Sequence, residues 1–506
     1  MDQIADVKKG AFIVSLVVFV FFLIFPYSLD QQHPQIAYMA GLGLLMAIWW
    51  MTEMVPLAVT ALLPVALYPF LGIMSGKAVA STYFNHVIFL FIGGFLMALA
   101  MEKWTLHKRI ALHLLLLIGI SPARLLLGFM LTTAFLSMWV SNTATTMMMV
   151  PILLSIVAKM EELNTPKAIK NIEKALLLGI AYAASIGGIA TLIGTPPNLS
   201  FVRIYKIYFP DAPEISFAHW FTFAFPLTAI LLLVTYGYLY FLFFSKTTTK
   251  LKIGKGVISK ELKDLGVMSY EEKWVLSLFI GLALLWLFRN PVRVGSIKIP
   301  GWSVLFSHSQ WITDGSVAIF VAILLFLIPA KNKKKSHFLM DWQTAGRIPW
   351  HIILLFGGGF ALASGFKESG LSTFIGQRLT ALQNLSPIVL LLIVIATITF
   401  LTEFTSNTAT VETFLPILAA LSVAVKINPL FLMIPATIAA SFAFMLPVAT
   451  PPNAIVFGSN RLKISDMVKS GFWLNIIGVA ILTLVAYFYM TWLFNIHWHH
   501  LPDWAS

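Results

Sequence analysis

Long apolar runs separated by short polar breaks follow one another along the whole chain. Most of them approach the roughly 20 residues that an α-helix needs to cross about 30 Å of membrane hydrocarbon. Because a backbone in lipid must satisfy its own hydrogen bonds, and no run alternates apolar with polar residues, the pattern predicts helices. The runs cover residues 11–29, 36–52, 55–72, 86–102, 125–158, 175–209, 217–244, 274–288, 313–330, 350–366, 387–425, 430–459 and 471–495.

Two of the runs have a polar centre. The run 125–158 carries Ser141-Asn142-Thr143 in its middle, and its limbs, 125–140 and 144–158, each reach only about 23 Å as helices. The run 387–425 has the same pattern around Ser406-Asn407-Thr408. Two short limbs joined by a polar tip are typical of a re-entrant hairpin. The sequence therefore predicts an all-α polytopic membrane protein with about eleven transmembrane helices and two re-entrant hairpins.

The second half of the chain repeats the first at an offset of 265 residues. Gly93-Gly94-Phe95 matches Gly358-Gly359-Phe360, and the five residues 141–145 are identical to 406–410. A second pair, Gly194-Thr195-Pro196-Pro197-Asn198 and Ala449-Thr450-Pro451-Pro452-Asn453, follows at a looser spacing. Five predicted crossings separate the starts of the two repeats, so the halves have opposite orientations. Inverted repeats with broken helices in corresponding places indicate a secondary transporter with a site near the membrane midplane.

The repeat divides the chain into four parts. We predict N-terminal scaffold helices over 1–85 and cytoplasmic loops with connecting helices over 246–349. The first inverted repeat covers 86–245, with its hairpin at 125–158 and its broken helix at 194–198. The second covers 350–506, with its hairpin at 387–425 and its broken helix at 449–453.

The basic residues gather on one side of the predicted membrane. With the N-terminus in the cytoplasm, the predicted cytoplasmic segments hold 25 of the 34 Lys and Arg residues, which follows the positive-inside rule. This distribution accounts for the net charge of +13 without a nucleic-acid partner.

A composition of 59% hydrophobic and 11% charged residues excludes a soluble enzyme. The sequence contains no Walker A, Rossmann or HExxH motif, so it predicts neither an ATP-driven pump nor a membrane protease.

The tips and the Pro-Pro breaks expose main-chain groups within the membrane. Two successive prolines remove N–H donors, and a hairpin tip leaves carbonyls at one limb's end and N–H groups at the next limb's start. Carbonyl, Ser and Asn oxygens suit a hard cation, whereas helix N-termini suit an anion. Neither hairpin run contains Lys or Arg. We therefore expect a multivalent anion that is neutralised by co-bound cations.

Two acidic residues flank the second tip. Glu403 and Glu412 each suit two interpretations: a group that binds a proton or a cation, or a structural carboxyl that is protonated or caps the tip. The sequence leaves both interpretations open.

With these motifs the chain resembles the divalent anion:sodium symporter family, also called INDY-like transporters. The hallmarks of that family are two Ser-Asn-Thr hairpin tips and two Thr-Pro-Pro-Asn breaks, and all four stand here intact. The resemblance covers nearly the whole chain. It implies a homodimer in which each protomer moves a transport domain past a scaffold domain, as an elevator.

The resemblance also implies the site residues. The first sodium site would use Ser137, Ser141, Asn142 and Gly194, and the second Thr402, Thr405, Asn407 and Ala449. The substrate carboxylates would meet Asn142, Thr143, Ser406, Asn407 and Thr408, with Thr195, Thr450 and Pro451 close by. Sodium is the co-transported ion, and no further cofactor is implied.

The implied function is sodium-coupled symport of C4-dicarboxylates such as succinate, malate or fumarate, in the carboxylate branch of the family. A sodium-independent dicarboxylate exchanger, a carrier of tricarboxylates or sulfate, and an anion channel remain open alternatives. The chain is expected to lie in a prokaryotic plasma membrane.

Overall fold

Helices occupy every apolar run of the sequence. The computed structural model describes residues 2–119, 121–163, 166–244, 256–294, 297–333, 335–498 and 500–505. Each of the thirteen predicted runs contains at least one α-helix, which confirms the all-α prediction.

The N-terminal region contains two long helices and three short ones. Helices α1 (Asp2–Ile24) and α2 (Pro34–Thr52) pack side by side. The run 55–72 was predicted as one crossing, but the structure divides it into α3 (Leu57–Thr60) and α4 (Leu63–Leu67), followed by α5 (Gly76–Tyr83). The physical reason is Pro64, which has no N–H to donate to the carbonyl one turn earlier and whose ring crowds that carbonyl.

The first repeat consists of seven helices among the described residues. In chain order they are α6 (His86–Lys103), α7 (Leu106–Ile118), α8 (Pro122–Ser137), α9 (Asn142–Leu163), α10 (Pro166–Ile189), α11 (Pro196–Tyr208) and α12 (Phe217–Phe243). Helices α8 and α9 form the predicted hairpin, and both pack along α10.

The region between the repeats contains the only strands among the described residues. Its elements are α13 (Val257–Asp264), α14 (Tyr270–Leu287), β1 (Val292–Val294), β2 (Ile297–Ile299), α15 (Asp314–Leu327) and α16 (Trp342–Ala345). The strands pair antiparallel, with Val292 opposite Ile299. A three-residue strand is too short to leave an alternating pattern, so the sequence analysis missed this hairpin.

The second repeat follows the same plan as the first. Its helices are α17 (Trp350–Glu368), α18 (Leu371–Leu379), α19 (Pro387–Leu401), α20 (Asn407–Ala424), α21 (Pro429–Ala439), α22 (Pro451–Gly458), α23 (Ile464–Val485) and α24 (Thr491–Leu493). A π-helical turn at Ala486–Met490 joins α23 to α24. Helices α19 and α20 form the second predicted hairpin.

The predicted limits of the hairpins and the breaks need correction. Asn142 and Asn407 already begin the second limbs, so the tips are 138–141 and 402–406. The breaks precede the prolines: residues 190–195 and 440–450 are non-helical, and Pro196 and Pro451 start α11 and α22. Proline fits the first turn of a helix because N–H groups there have no intrahelical acceptor. The limb-length argument also fails for α9, which has 22 residues.

A contact between two aromatic rings shows where the two repeats meet. Phe91 of α6 and Phe356 of α17 occupy equivalent positions at the offset of 265, and their ring centroids lie 4.8 Å apart. A residue that contacts its own counterpart must lie near the axis that relates the two repeats. Helices α6 and α17 therefore meet at the centre of the repeat arrangement.

Length and composition agree with a membrane protein. Among the described residues, eight helices are long and apolar enough to cross a membrane. Five further apolar helices have 10–17 residues; they include α8 and α19, the first limbs of the hairpins, and α21, which precedes the second break. The thirteen predicted runs thus correspond to full-length helices, hairpin limbs and halves of broken helices.

Candidate binding site at the hairpin tips

The first tip brings three oxygen groups together. Ser137, at the end of α8, is fully buried. Its hydroxyl lies 2.5 Å from Asn142 Oδ1, across the tip, and 2.8 Å from the carbonyl oxygen of Ala184 in α10. Ser141 Oγ accepts a hydrogen bond from the Ala144 N–H at 3.2 Å and so fixes the start of α9.

The carbonyl of Gly194 in the first break converges on the same place. A Cβ built on Gly188 would lie 2.7 Å from Asn142 Oδ1 and 3.2 Å from the Gly194 oxygen. Both oxygens therefore face the bare backbone of Gly188, where any larger residue would displace them. The structure brings Ser137, Asn142 and Gly194 together, three of the four residues that the resemblance implies for the first sodium site. Gly188 was not predicted, although it belongs to a Gly-Gly pair just before the break.

The second tip has the same geometry. The Thr402 hydroxyl lies 2.9 Å from Asn407 Oδ1 and 2.9 Å from the carbonyl oxygen of Ala440. Thr405 departs from the predicted set, because its hydroxyl lies 2.5 Å from that of Thr410 and donates to the Leu401 carbonyl at 3.1 Å. The Thr405 side chain is thus engaged within the hairpin, away from Thr402 and Asn407. Ala449 lies in the non-helical segment, directly before Thr450.

One asparagine closes each break. Asn198 Nδ2 donates to the carbonyls of Gly188 at 3.2 Å and Thr191 at 2.7 Å. Asn453 Nδ2 donates to the carbonyls of Ala443 at 2.9 Å and Leu446 at 3.0 Å. Both side chains are completely buried. These positions stand in the matched Thr-Pro-Pro-Asn motifs, but the sequence analysis did not include them among the site residues.

The Oδ1 atoms of these two asparagines are unpartnered. Each is buried and accepts no hydrogen bond from the described residues. Buried acceptors without a donor are rare, because their desolvation is not compensated. The tips offer Ser, Thr, Asn and main-chain oxygens, an all-oxygen donor set of the kind that hard cations prefer, and each break adds one unpartnered acceptor. The residues present therefore fit sodium.

The residues predicted to meet the substrate lie at the edges of the tips. Asn142, Thr143, Ser406 and Asn407 are half-buried, Thr195, Thr408 and Thr450 are buried, and Pro451 is exposed. The hydroxyls of Thr143, Thr408, Ser406 and Thr195 make no hydrogen bond to any described residue. The Thr450 hydroxyl instead accepts from the Asn453 N–H at 3.4 Å. Most of the predicted hydroxyls are therefore free to bind a ligand.

Around the tips, helices of each half pack against helices of the other half. Helix α9 of the first hairpin packs against α22, which follows the second break, and α20 of the second hairpin packs against α11, which follows the first. A narrow pocket lined by Phe91, Gly94 and Phe95 of α6 reaches Ser141 of the first tip. Each hairpin thus packs against the helix that follows the break in the other half.

The two acidic residues beside the second tip have different surroundings. Glu403 accepts hydrogen bonds from the N–H groups of Phe444 at 2.7 Å, Met445 at 2.9 Å and Leu446 at 3.0 Å, and from Asn475 Nδ2 at 2.7 Å. These contacts favour the structural interpretation for Glu403, but the carboxyl holds the second break and does not cap the tip. Glu412 is fully buried and accepts one hydrogen bond, from the Ser200 hydroxyl.

Comparison with known proteins identifies the family of this chain. The profile described as "Sodium:sulfate symporter transmembrane region" matches residues 7–496. The chain is 45% identical over 477 residues to a Staphylococcus aureus protein named sodium-dependent dicarboxylate transporter SdcS, covering 92% of this chain and 89% of that one. The Staphylococcus saprophyticus protein of the same name is 44% identical over 463 residues, covering 91% and 87%.

Two solved transporter structures share the fold. The antimetabolite efflux pump MtrF of Neisseria gonorrhoeae has a TM-score of 0.56 at 13% identity, covering 87% of this chain and 96% of that one. The YdaH transporter of Alcanivorax borkumensis has a TM-score of 0.51 at 14% identity, covering 88% and 98%. The extent of the profile match, the identity to the staphylococcal proteins and the duplicated tips and breaks lead to one conclusion: the chain is a multi-pass membrane transporter that belongs to the sodium:sulfate symporter family.

Proposed function

We propose that this chain is a sodium-coupled symporter of C4-dicarboxylates such as succinate, malate and fumarate. The observation that carries the proposal is the duplicated oxygen set at the tips: Ser137, Asn142 and the Ala184 carbonyl in one half, and Thr402, Asn407 and the Ala440 carbonyl in the other. The names of the staphylococcal relatives support the same cation and the same substrate class.

One sodium ion belongs to each tip. The first is held by Ser137, Ser141, Asn142 and Gly194, and the second by Thr402, Thr405, Asn407 and Ala449. Because the Thr405 hydroxyl faces Thr410, this residue contributes through its main chain. The unpartnered Oδ1 atoms of Asn198 and Asn453 add an acceptor at each break.

The substrate lies between the two cation sites. Its carboxylates meet Asn142, Thr143, Ser406, Asn407 and Thr408, with Thr195, Thr450 and Pro451 beside them. The free hydroxyls and the N–H groups at the starts of α9 and α20 donate to the carboxylates. Since the hairpin runs carry no Lys or Arg, bound sodium supplies the neutralising charge and substrate binding requires it.

The wider organisation follows from the resemblance stated for the sequence. We place the chain in a bacterial plasma membrane with its N-terminus in the cytoplasm, and we propose a homodimer in which the hairpins and broken helices move as an elevator against the other helices. The packing of each hairpin on the other half's broken helix supports a single moving unit.

Uptake of labelled succinate into proteoliposomes tests the proposal. We expect saturable uptake with sodium outside, and little uptake with potassium or choline. Uptake that needs internal dicarboxylate and ignores the sodium gradient would identify an exchanger. Competition by sulfate or citrate at concentrations below those of succinate would assign the chain to another substrate branch, and flux that does not saturate would identify a channel.

A further inference from the structure

A buried carboxyl group lies where the second hairpin meets α17. Glu412 is 0% exposed and stands one helical turn after Thr408 in α20. The Ser200 hydroxyl of α11 donates to Oε1, whereas Oε2 has no hydrogen-bond partner among the described residues. The group therefore joins three elements: the second hairpin, the helix after the first break, and α17.

The third wall of this site is the main chain of α17. A Cβ built on Gly359 would overlap the carboxyl group of Glu412, so the carboxyl lies directly against the glycine backbone. The neighbouring Gly358 packs in the same way against Ala61. No water-sized gap is left between α17 and the Glu412 side chain, because the carboxyl fills the space that a side chain at 359 would take.

No counter-charge reaches the group. Among the described residues, none forms an ion pair with Glu412. Arg203 of α11 forms no ion pair with any described residue. The charged and titratable groups on the helices packed against α20 are Tyr38 of α2, Arg203, Tyr205, Lys206 and Tyr208 of α11, His351, Lys367 and Glu368 of α17, and Arg378 of α18; α21 has none.

The two lysines, Lys206 and Lys367, are engaged with main-chain carbonyls near the end of α11. Lys206 donates to the carbonyls of Pro210 and Ala212, and Lys367 donates to that of Ile207 at 2.8 Å. In a dry interior an ionised carboxylate with one neutral hydroxyl as its partner costs far more free energy than a neutral carboxylic acid. Ionisable residues at such depth in membrane transporters often carry protons.

We propose that Glu412 is a proton-binding site, which holds a proton on Oε2 while α20 is packed against α17 and releases it when the two separate. The packed arrangement binds one more proton than the separated one, so raising the pH favours separation. Under the elevator proposal α20 moves against α17, and the transport cycle then depends on this proton in addition to sodium.

Infrared spectroscopy on the purified protein tests the site without requiring transport. We expect a carbonyl stretch of a protonated carboxylic acid that disappears in Glu412→Gln and persists in the control Glu368→Gln, which alters an exposed carboxyl at the end of α17. Ser200→Ala should shift this band to higher frequency, because the hydrogen bond to Oε1 is lost. The band should weaken as the pH is raised.

Uptake measurements test the coupling, which rests on the proposed function. We expect wild-type uptake to fall with rising pH and Glu412→Gln, which keeps the shape of the neutral acid, to retain the rate seen in acid. Comparison at matched pH removes the effect of succinate's own titration. The proposal is overturned by the absence of a Glu412-dependent acid band, by a band that does not change with pH, or by an unchanged pH profile in the variant. A protein that shows the titrating band but does not transport succinate would contradict the proposed function alone.

Discussion

At the scale of single residues, the same contact occurs twice. A hydroxyl at the end of one limb, Ser137 or Thr402, lies within hydrogen-bond distance of the asparagine that begins the next limb and of a main-chain carbonyl on a neighbouring segment. Two unrelated tips would not share both of these partners. The repeated contact supports the proposal that these oxygens bind the cations more strongly than either tip alone does.

The two asparagines should control the sodium dependence of uptake. Asn142→Ala and Asn407→Ala each remove a side-chain oxygen at a site where water does not readily replace it, at a cost on the order of 1–3 kcal/mol. We expect each variant to need about tenfold more sodium for half-maximal uptake. Asn384→Ala, an exposed position at the end of a 3₁₀ turn, is the matched control. Unchanged sodium dependence in both variants would show that the cations bind elsewhere.

The free threonine hydroxyls should control the affinity for succinate. Thr143→Val and Thr408→Val keep the shape of the side chain but remove a donor to a charged acceptor, a loss of about 1.5–3 kcal/mol or ten- to a hundredfold in affinity. Thr413→Val, on α20, is the control, because its hydroxyl is already engaged with the Ala409 carbonyl at 2.8 Å. Acetate and lactate should compete poorly, since they engage one tip. Wild-type affinity in both variants would exclude the two-tip arrangement.

At the scale of elements, the tips and breaks are held together differently in the two halves. Met138, at the position that corresponds to Glu403, offers only its carbonyl, which accepts from the Thr191 hydroxyl at 2.5 Å. Glu403 instead binds three successive N–H groups of the 440–450 segment. The longer second break therefore depends on one carboxylate.

Replacing that carboxylate should destabilise the second break. Glu403→Gln removes the charge from three main-chain hydrogen bonds and turns an amide NH₂ towards N–H donors, so we expect a loss of at least about 3 kcal/mol. The measurement is the melting temperature in detergent, with Glu368→Gln as the control. A wild-type melting temperature would show that the segment is held without Glu403.

Sequence patterns were sufficient for the order of the helices, the two tips and the presence of two breaks. They failed where the deciding groups belong to the main chain or to tertiary packing. The carbonyls of Ala184 and Ala440 are ligand candidates only because α10 and the 440–450 segment pass the tips. The unpartnered oxygens of Asn198 and Asn453 become visible only when the partners of their amide nitrogens are known.

At the scale of the whole molecule, α6 lies against both the first tip and the first break. Gly94 of α6 touches Ile193 in the break, and a Cβ built on Gly94 would lie 3.5 Å from the Ile193 Cβ. That separation suits a disulfide. The chain contains no cysteine, so an introduced pair has no competing thiol.

A crosslink at this contact should stop transport if the broken helix moves against α6. We expect oxidised Gly94→Cys/Ile193→Cys to lose nearly all succinate uptake and to regain it on reduction. The single variants Gly94→Cys and Ile193→Cys, which cannot form the crosslink, are the controls and should remain active under the same oxidising conditions. Full uptake by the oxidised Gly94/Ile193 pair would contradict the elevator proposal.

The contact between Phe91 and Phe356 has a consequence for the origin of the protein. Before the halves were fused, the same ring would have met its own copy across two separate half-length chains, inserted in opposite directions. A gene for such a chain must encode a protein that enters the membrane both ways. Fusion removed that requirement and allowed the copies to diverge, as in Glu412, whose counterpart is Met147. Pairs that still match on the axis preserve the ancestral interface, and pairs that differ record what each half acquired afterwards.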